Sequence, residues 1–590
     1  MDCLNYPFDG AYILKKKLSI KRELLAENTA FQDKRIAILG GSTTDEIKNI
    51  LELFLLNYGI KPQFYQSEYA QYWNDAMFSE ELCAFAPDII FVHTGMRNIT
   101  EFSDITDSVD EVNNKFNAQL QHFTAMWDRL LTAYHCPIIQ NNFERPLFRL
   151  LGNKDITDVH GRSNFIARLN SELYAYCAAH DNFYVNDVDY VAASYGIDEY
   201  SDSLYWNMYK YSMCLQAIPY FAYNLANIIK SIYGKNKKAL VLDLDNTLWG
   251  GVVGDDGVKG IAVGPEVPMG QVYSEFQSYL LLNKKLGILL TIASKNDEKN
   301  ALEGLLHPDN ILRAEDFVKI KANWDNKDIS VLDIAKELNI GIDSLVFVDD
   351  NPAEREIVKM QLPSVAVPNI GKVEQYIKTI DRSGFFEVTS LSRDDLQRSE
   401  MYKQNAEREA LQQSFVSYES YLESLNMTAE IRDFEPIYMQ RIAQLTVKSN
   451  QFNLTTHRYT EAQLEAMAKN DSYVRLYGKL HDKFGDNGVV SIVIGECEGE
   501  SVHIRLWLMS CRVLKRQMEN AMLDKLVQIC KKRGAKTLIG YYYPTEKNGM
   551  VKDFYSTMGF LKTSEKNGAT VWEYEIDKYE NTCKVIEILE

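Results

Sequence analysis

Short apolar runs alternate with longer amphipathic stretches along most of this chain. After a helical lead-in over residues 1–34, the runs KRIAILGG, APDIIFVHTG and CPIIQNNF predict short strands separated by helices, up to about residue 235. A second alternation follows, with ALVLDLD, GILLTIAS, ILRAEDF and SLVFVDD as the predicted strands. This alternation predicts parallel sheets that are covered by helices on their faces.

The remaining segments complete the predicted organisation. The stretch SRDDLQRSEMYKQNAEREALQQS is polar, rich in helix formers and free of glycine and proline, which predicts a connecting helix. The lysine-rich YGKNKK is typical of a linker. We therefore predict a multidomain α/β protein with three α/β domains over residues 1–235, 236–385 and 428–590, and a helical connector over residues 386–427.

Composition narrows the classes of function. A chain of 590 residues exceeds what one hydrophobic core usually serves. The net charge of -18 argues against broad binding to nucleic acids or anionic membranes. Nine scattered cysteines without a CxxC pair suit a reducing compartment and offer no structural zinc site. No long apolar run or signal-peptide core is evident, so we expect a cytoplasmic protein.

Acidic residues close two of the predicted strands in the middle domain. Asp243 and Asp245 follow LVL at positions i and i+2, so their side chains point the same way. Asp349 and Asp350 close LVFV. Because the carboxyl ends of parallel strands meet at one edge of a sheet, these carboxylates are predicted to gather there. Mg²⁺ is a cation that relieves such repulsion, whereas the alternative is an exposed acidic turn.

Two further reactive residues follow in the same order along the chain. Ser294 follows LLTIA, and Lys327 in NWDNK begins a helix. Each has a structural alternative, since serine often caps a helix and lysine is usually solvated. The segment DDNPAERE also fits a simple turn and helix start. Taken together, two aspartates, a hydroxyl, a cation and a further acidic pair form a set suited to phosphoryl transfer.

The quoted segments resemble the four motifs of the haloacid dehalogenase (HAD) superfamily: DLDNTLWGG, TIASKND, NWDNK and FVDDNPAERE. The resemblance implies a Rossmann-like parallel sheet, with Asp243 attacking phosphorus and Asp245 protonating the leaving group and later activating water. It also implies that Mg²⁺ is held by Asp243, the backbone carbonyl of Asp245, and Asp349, with Asp350 adjacent. Ser294 and Lys327 would bind the transferring phosphoryl group. Only short connections follow Asn246, so we expect no large cap domain.

The segments LWGGVVGDDG and NWDNK narrow the resemblance to the FkbH-like group of HAD proteins. That group implies transfer of a glyceryl unit from 1,3-bisphosphoglycerate to an acyl carrier protein through its phosphopantetheine arm. Two alternatives stay open at this point. One is a phosphatase acting on a sugar or polyol phosphate in glycan or polyketide biosynthesis, and the other is a noncatalytic assembly protein.

The N-terminal domain is similar to SGNH hydrolases. LGGST places Ser42 after the first strand, and HTGMRN offers Gly95 and Asn98 for an oxyanion hole. A nucleophilic serine needs a base, which that fold draws from a late DxxH motif. No DxxH precedes residue 235; His160 is spaced differently, and Tyr205 stands three residues after Asp202, where histidine belongs. We therefore expect a docking or scaffold domain.

The C-terminal domain resembles GNAT acyltransferases, on the segments LWLMSCRVLKRQMENAMLDKLVQICKKRGAKTLIG and NGMVKDFYSTMGF. The fold binds the pyrophosphate of coenzyme A on a glycine-rich loop at a helix N-terminus. Lys515 and Gln517 stand where glycines would be expected, and close backbone approach is thereby lost. A phosphopantetheine arm on a carrier protein is the alternative ligand.

Cys511 is the candidate thiol of this domain. It precedes a helix and is followed by Arg512, Lys515 and Arg516, a setting that favours a thiolate. The alternative is a small apolar residue buried at a strand end. Resemblance to FkbH-like proteins implies that Cys511 holds the glyceryl group as a thioester. The three basic residues are then the predicted contact patch for the carrier protein.

Overall fold

The computed structural model describes residues 1–27, 31–545 and 547–589. The chain divides into two compact units, residues 1–232 and residues 233–590. Among the residues described, no helix combines the length and apolar character that crossing a bilayer requires.

The first unit is built on a five-stranded parallel sheet with the order β2-β1-β3-β4-β5. Its strands are β1 (Gln32–Gly40), β2 (Ile60–Gln66), β3 (Ile89–His93), β4 (Ile138–Asn141) and β5 (Phe183–Asn186). Its helices are α1 (Gly10–Glu27), α2 (Asp45–Asn57), α3 (Tyr72–Phe78), α4 (Glu80–Phe85), α5 (Val109–Tyr134), α6 (Arg162–Ala179), α7 (Val188–Tyr195), α8 (Ile197–Tyr200), α9 (Ser203–Tyr209) and α10 (Ile218–Ile232).

The central strands of this unit are buried on both faces. In β1, consecutive residues from Ile36 to Leu39 have no exposed surface, and β3 is buried along its whole length. A strand covered by helices on both sides needs apolar residues at successive positions, not at alternate ones. That requirement explains why these strands read as continuous apolar runs in the sequence.

The second unit begins with a four-stranded parallel sheet of order β8-β7-β6-β9. Its strands are β6 (Ala239–Leu242), β7 (Leu289–Lys295), β8 (Lys319–Asn323) and β9 (Leu345–Val348). The accompanying helices are α11 (Val253–Asp256), α12 (Pro268–Lys285), α13 (Glu298–Leu305), α14 (Lys327–Glu337), α15 (Pro352–Gln361) and α16 (Tyr376–Arg382). Between β6 and β7 lie only α11, α12 and their connections, so no cap domain is inserted within the described residues 243–288.

The rest of the second unit is helical and then mixed α/β. The helices α17 (Arg393–Leu396), α18 (Arg398–Gln412) and α19 (Tyr418–Ser424) come first. They are followed by β10 (Met427–Arg432), α20 (Met439–Lys448), β11 (Phe452–Asn453), α21 (Glu461–Ala468), β12 (Tyr473–Asp482), β13 (Gly485–Glu498), β14 (Ser501–Met509), α22 (Met518–Lys532), β15 (Thr537–Tyr542), α23 (Phe554–Thr557), β16 (Leu561–Lys566), β17 (Ala569–Glu575) and β18 (Ile586–Leu589). The strands β10 to β18 form one mixed sheet. In it the pairs β14–β15 and β10–β18 are parallel, and the other pairs are antiparallel.

The prediction of a multidomain α/β protein with a central parallel sheet is confirmed. One predicted strand, ILRAEDF, is wrong. The N–H groups of Ile311 and Leu312 donate to the side-chain oxygen of Gln277, and Ala314–Asp316 form a 3₁₀ turn. Because a side chain takes these backbone donors, the sheet is joined further along the chain, by β8.

Candidate active site

The central strand β6 carries two aspartates beyond its carboxyl end. The N–H of Asp243 donates to the carbonyl of Val348 on β9 at 3.0 Å, which extends the sheet ladder by one residue. The chain then turns at Asn246, which has a left-handed φ of 53°. The carbonyl oxygen of Asn246 accepts hydrogen bonds from the hydroxyls of Tyr273 at 3.3 Å and Tyr376 at 3.2 Å. These two bonds fix the turn that places Asp243 and Asp245.

A buried lysine joins the ends of two neighbouring strands. Lys327, the first residue of α14, places Nζ 2.7 Å from Oδ1 of Asp243 and 2.8 Å from Oδ2 of Asp349. The side chains of Lys327, Asp243 and Asp349 are 3%, 12% and 0% exposed. Buried charges persist only when paired in this way.

Negative charge nevertheless exceeds positive charge at this point. Ligand oxygens of Asp243, Asp349 and Asp350 lie within 4.8 Å of one another around a single lysine. Burial, followed by the charge of Asp243, raises the pKa of Asp349 to about 6, and Lys327 only partly opposes this. Burial and Asp243 also raise the pKa of Asp350. These three carboxylates could hold a divalent cation, because oxygen ligands and surplus negative charge are what such an ion requires.

Asp245 is held apart from this group by its own hydrogen bonds. Its Oδ1 accepts from Nε1 of Trp249 at 2.9 Å and from the N–H of Val253 at 3.0 Å. Its Oδ2 accepts from the side-chain amide of Asn296 at 3.0 Å. Burial raises the pKa of Asp245, while the hydrogen bonds from Val253 and Trp249 oppose the rise. A carboxyl group with a raised pKa and a fixed orientation is suited to proton transfer.

The backbone around Asp349 and Asp350 is fixed by polar side chains. The guanidinium of Arg355 donates to the carbonyls of Asp349 at 2.7 Å and Asp350 at 2.8 Å. The N–H of Asp350 donates to the hydroxyl of Thr247 at 3.2 Å. Neither Arg355 nor Thr247 was predicted from the sequence to hold this backbone, and neither were the two side chains that hold Asp245. The threonine lies inside DLDNTLW, so its place in that motif was the available signal.

Ser294 lies within β7, at the carboxyl end of the strand beside β6. The residue is buried, with 4% of its surface exposed. The following helix α13 begins at Glu298 with Asp297 as its N-cap residue. Ser294 therefore stands at the edge of the sheet where the aspartates gather, and it does not cap the helix.

The rim of this edge carries an exposed aromatic residue. Trp324, in the loop between β8 and α14, is 70% exposed, and its Nε1 donates to Oδ1 of Asp297 at 3.0 Å. Trp324 is three residues before Lys327. The side-chain hydrogen bond holds the indole ring at the rim although the ring itself is largely in solvent.

The structure does not bring Cys511 to the aspartates. Its carbonyl accepts from the side chain of Asn339 at 3.1 Å, in the turn that follows α14. This turn leads into the amino end of β9, whereas Asp243 follows the carboxyl end of β6. The two ends of the sheet are separated by the length of β6: from Lys238, just before the strand, to Asp243, just after it, the extended backbone spans roughly 16 Å. Cys511 is thus at the opposite edge of the parallel sheet.

The predicted basic patch beside Cys511 is wrong for two of its three residues. Arg512 pairs with Asp394 at 3.4 Å, and Arg516 pairs with Asp482 at 3.2 Å. Both arginine side chains are at most 8% exposed, and Lys515 alone is exposed. The arginines face carboxylates of this same unit, so their charges are neutralised inside the protein.

In the first unit, the residues of the expected oxyanion hole are engaged with one another. The side-chain amide of Asn98 donates to the carbonyl of Gly41 at 2.9 Å, and its oxygen accepts from the N–H of Gly95 at 3.0 Å. The hydroxyl of Ser42 is buried and has no hydrogen-bond partner among the described residues. His160 bonds Asp158 at 2.8 Å and the carbonyl of Asp107 at 2.9 Å. None of these contacts gives Ser42 a base.

Comparison with protein families gives a match over the first unit. Residues 35–230 match the model of the FkbH N-terminal domain. This match confirms the predicted resemblance to FkbH-like proteins. No curated protein sequence matches the chain.

Solved structures similar to the chain include one that extends well beyond that domain. It is the N-terminal part of the protein BF1531 from Bacteroides fragilis, described as containing a phosphatase domain complexed with Mg. The similarity has 29% sequence identity and a TM-score of 0.59, and it covers 64% of this chain and 99% of that one. The shared fold therefore includes more than the first unit.

Two N-acetyltransferases are also similar, each over about a quarter of the chain. The ribosomal-protein-S18-alanine N-acetyltransferase of Escherichia coli has 13% identity and a TM-score of 0.21, covering 27% of this chain and 99% of that one. PaiA N-acetyltransferase of Thermoplasma acidophilum, solved with coenzyme A, has 16% identity and a TM-score of 0.20, covering 25% and 99%. The GNAT-like assignment of residues 428–590 stays a prediction.

Proposed function

We propose that this protein is an FkbH-like, Mg²⁺-dependent phosphatase that acts on a phosphorylated small molecule. The observation that carries the proposal is the buried contact of Lys327 with Asp243 and Asp349, at 2.7 and 2.8 Å, beside the separately held Asp245. The similarity to a phosphatase domain crystallised with Mg supports it. A purely structural ion pair would not need a third carboxylate, Asp350, within 4.8 Å.

In the proposed reaction, a carboxylate oxygen of Asp243 attacks phosphorus and the bond from phosphorus to the leaving oxygen breaks. Asp245 gives its proton to that oxygen. Asp245 then takes a proton from water, which attacks the aspartyl-phosphate and releases inorganic phosphate. Lys327 stabilises the carboxylate form of Asp243 and, with Ser294, contacts the transferring phosphoryl group. Mg²⁺, held by Asp243, Asp349 and Asp350, neutralises charge on that group when bound.

At the finer level, we propose that the substrate is a phosphorylated three-carbon acid such as 1,3-bisphosphoglycerate. Its phosphate ester is cleaved at Asp243. The thiolate of Cys511 attacks the carbonyl carbon of the acyl phosphate, the carbon–oxygen bond to phosphate breaks, and phosphate leaves. The thiol of a carrier protein's phosphopantetheine arm then takes the acyl group by thioester exchange. Because Cys511 and Asp243 lie at opposite edges of one sheet, this sequence requires the substrate to move between two sites.

Intact mass spectrometry tests both levels. The full-length protein is incubated with Mg²⁺ and freshly generated 1,3-bisphosphoglycerate, and released phosphate is assayed in parallel. Asp243→Asn should abolish the release of phosphate from the ester, and Cys511→Ala should abolish the glyceryl adduct. The half-exposed Asp333 and the exposed Cys83 supply matched controls, Asp333→Asn and Cys83→Ala, which should change neither readout.

The possible outcomes separate the alternatives. Phosphate release from simple sugar or polyol phosphates without any adduct, unaffected by Cys511→Ala, would support the plain phosphatase and overturn the acyl transfer. Absence of turnover, together with absence of Mg²⁺ binding in calorimetry, would overturn the phosphatase and favour a noncatalytic assembly protein.

A further inference from the structure

A group of lysines lies at the edge of the parallel sheet opposite the aspartates. Lys235, Lys237 and Lys238 precede β6, and Lys547 lies in the loop after β15. Lys547 pairs with the carboxylate of Asp343, and Nζ of Lys237 donates to the carbonyl oxygen of the same residue at 2.7 Å. The Asp343 carboxylate is thus paired with the ammonium group of Lys547, and the backbone carbonyl of the same residue binds that of Lys237.

Two of these lysines have no ion-pair partner among the described residues. Within residues 31–545 and 547–589, neither Lys235 nor Lys238 has a carboxylate within ion-pair distance, and both feel Asp343 only at longer range. Burial lowers the pKa of Lys235 and Lys237 to about 8, with Lys547 adding to the shift in both and Asp343 opposing it. Burial also lowers the pKa of Lys238. An excess of recessed positive charge in a chain of net charge -18 is costly unless an anion compensates it.

The lysine group is in contact with solvent. The side chains of Lys547 and Asp343 are 50% and 42% exposed, so they form its rim. Lys235, Lys237 and Lys238 are recessed but retain partial exposure. Cys511 lies on the same side of the sheet, because its carbonyl accepts a hydrogen bond of 3.1 Å from Asn339, four residues before Asp343, and its sulfur lies 3.9 Å from the hydroxyl of Tyr402.

We propose that Lys235, Lys237, Lys238 and Lys547 form an anion-binding crevice that takes the phosphate group of a phosphate ester and directs the rest of that molecule toward Cys511. Several separate ammonium donors suit a phosphate, because its oxygens accept hydrogen bonds from different directions at once. The crevice differs in chemistry from the aspartate site, where surplus carboxylates repel an anion unless a metal is bound. It does not depend on the proposed phosphatase activity.

The test compares two alkylating reagents on the full-length protein in the presence of EDTA. Iodoacetate carries a negative charge and iodoacetamide does not. The rate of alkylation by iodoacetate divided by the rate by iodoacetamide therefore reports the electrostatic potential at a thiol. The exposed Cys83 provides an internal reference, read by peptide mass spectrometry. We expect the ratio at Cys511 to exceed that at Cys83 by about tenfold, because a cleft lined by one sign of charge concentrates counterions. Inorganic phosphate should slow the reaction of iodoacetate at Cys511.

Variants connect the effect to the crevice. Lys238→Gln and Lys235→Gln should each reduce the ratio at Cys511 several-fold and weaken the protection by phosphate. The control is Lys299→Gln, since that side chain is 83% exposed on α13. Asp243→Asn should leave the protection unchanged, which separates this site from the phosphatase site.

The source of the phosphate is resolved by two further probes. Stronger protection by phosphopantetheine indicates a carrier-protein arm, and stronger protection by 3-phosphoglycerate indicates a phosphorylated small acid. Equal ratios at Cys511 and Cys83, insensitive to phosphate and to Lys238→Gln, would overturn the proposal. Where Cys511 reacts with neither reagent, calorimetric titration of inorganic phosphate into the Asp243→Asn protein decides: binding weakened by Lys238→Gln supports the crevice, and binding that this change leaves unaltered, or no binding, overturns it.

Discussion

The side-chain amide of Asn296 donates a hydrogen bond of 3.0 Å to Oδ2 of Asp245. Asn296 directly follows β7, and Asp245 lies just beyond the neighbouring strand β6. This hydrogen bond and the one that the indole of Trp249 donates to the other carboxylate oxygen together fix the plane of the Asp245 carboxyl group. A proton donor is effective only when its geometry is held in this way.

Asn296→Ala is expected to lower kcat of phosphate release by about tenfold to a hundredfold with little change in KM, since it disturbs a proton-transfer group and leaves the phosphate contacts in place. Steady-state kinetics on a simple phosphate ester measures both constants. Asn300→Ala, on the following helix, is the matched control and should resemble the unmodified protein. An equal fall in both variants would contradict a specific role for Asn296.

Replacing Lys327 removes the cation from a buried acidic group. Lys327→Met should destabilise the metal-free protein by about 3 kcal/mol, because Asp243 and Asp349 are left as unpaired buried charges. Urea unfolding in EDTA measures this loss. Added Mg²⁺ should restore much of the stability, whereas turnover should stay lost, since the lysine also serves the phosphoryl group. Full stability in EDTA would contradict the importance of the ion pair.

The raised pKa of Asp349 predicts how metal binding depends on pH. The folded protein holds a proton on Asp349 up to about pH 6, whereas the ordinary value is 3.8. Metal-free stability should therefore fall as pH rises from about 4 to 6, because ionisation in this site is unfavourable. Mg²⁺ requires the ionised form, so its affinity should weaken up to about tenfold per pH unit below 6.

Thermal unfolding with and without Mg²⁺ from pH 5 to 8 checks this relation. The increase in Tm caused by Mg²⁺ should shrink below pH 6. Asp349→Asn should show no comparable increase at any pH, and it should be no less stable than the unmodified metal-free protein at pH 7.5. A Mg²⁺ effect that stays constant down to pH 5 would refute the link to Asp349.

Ser42 is predicted to be inert as a nucleophile. The amide of Asn98 and the N–H of Gly95 already bond within the protein, and no base contacts the hydroxyl in the described part of the chain. A fluorophosphonate probe should therefore leave Ser42 unlabelled, and Ser42→Ala should not alter phosphate release. Labelling of Ser42 at a rate typical of serine esterases would contradict this view.

Sequence patterns identified the strand ends that carry the acidic residues because the parallel sheet makes them simple to recognise. An apolar run that ends in two aspartates predicts both the strand and the position of the carboxylates. The partners of Asp245 were not predictable in the same way. Trp249 reaches that residue through the turn at Asn246, whose geometry depends on tertiary contacts from Tyr273 and Tyr376, and Asn296 reaches it from the end of the neighbouring strand β7.

The two wrong predictions, the basic patch and the strand ILRAEDF, have one physical cause: polar contacts between residues that are distant in sequence. Arg512 and Arg516 looked like a surface patch because charged residues are usually exposed, but Asp394 and Asp482 are distant in sequence and meet them only after folding. The segment ILRAEDF has the composition of a strand, yet the side chain of Gln277 takes its backbone donors. Such long-range polar contacts leave no periodic pattern in the sequence.

The indole of Trp324 at the rim gives the molecule an intrinsic optical reporter. It is the one tryptophan with a strongly exposed ring among the described residues, while Trp127, Trp249 and Trp507 are fully buried. Red-shifted emission that is accessible to acrylamide therefore arises mainly from this ring. A molecule that settles over the aspartates would shield it, so fluorescence quenching can follow occupation of the site in a protein that has been made unable to turn over.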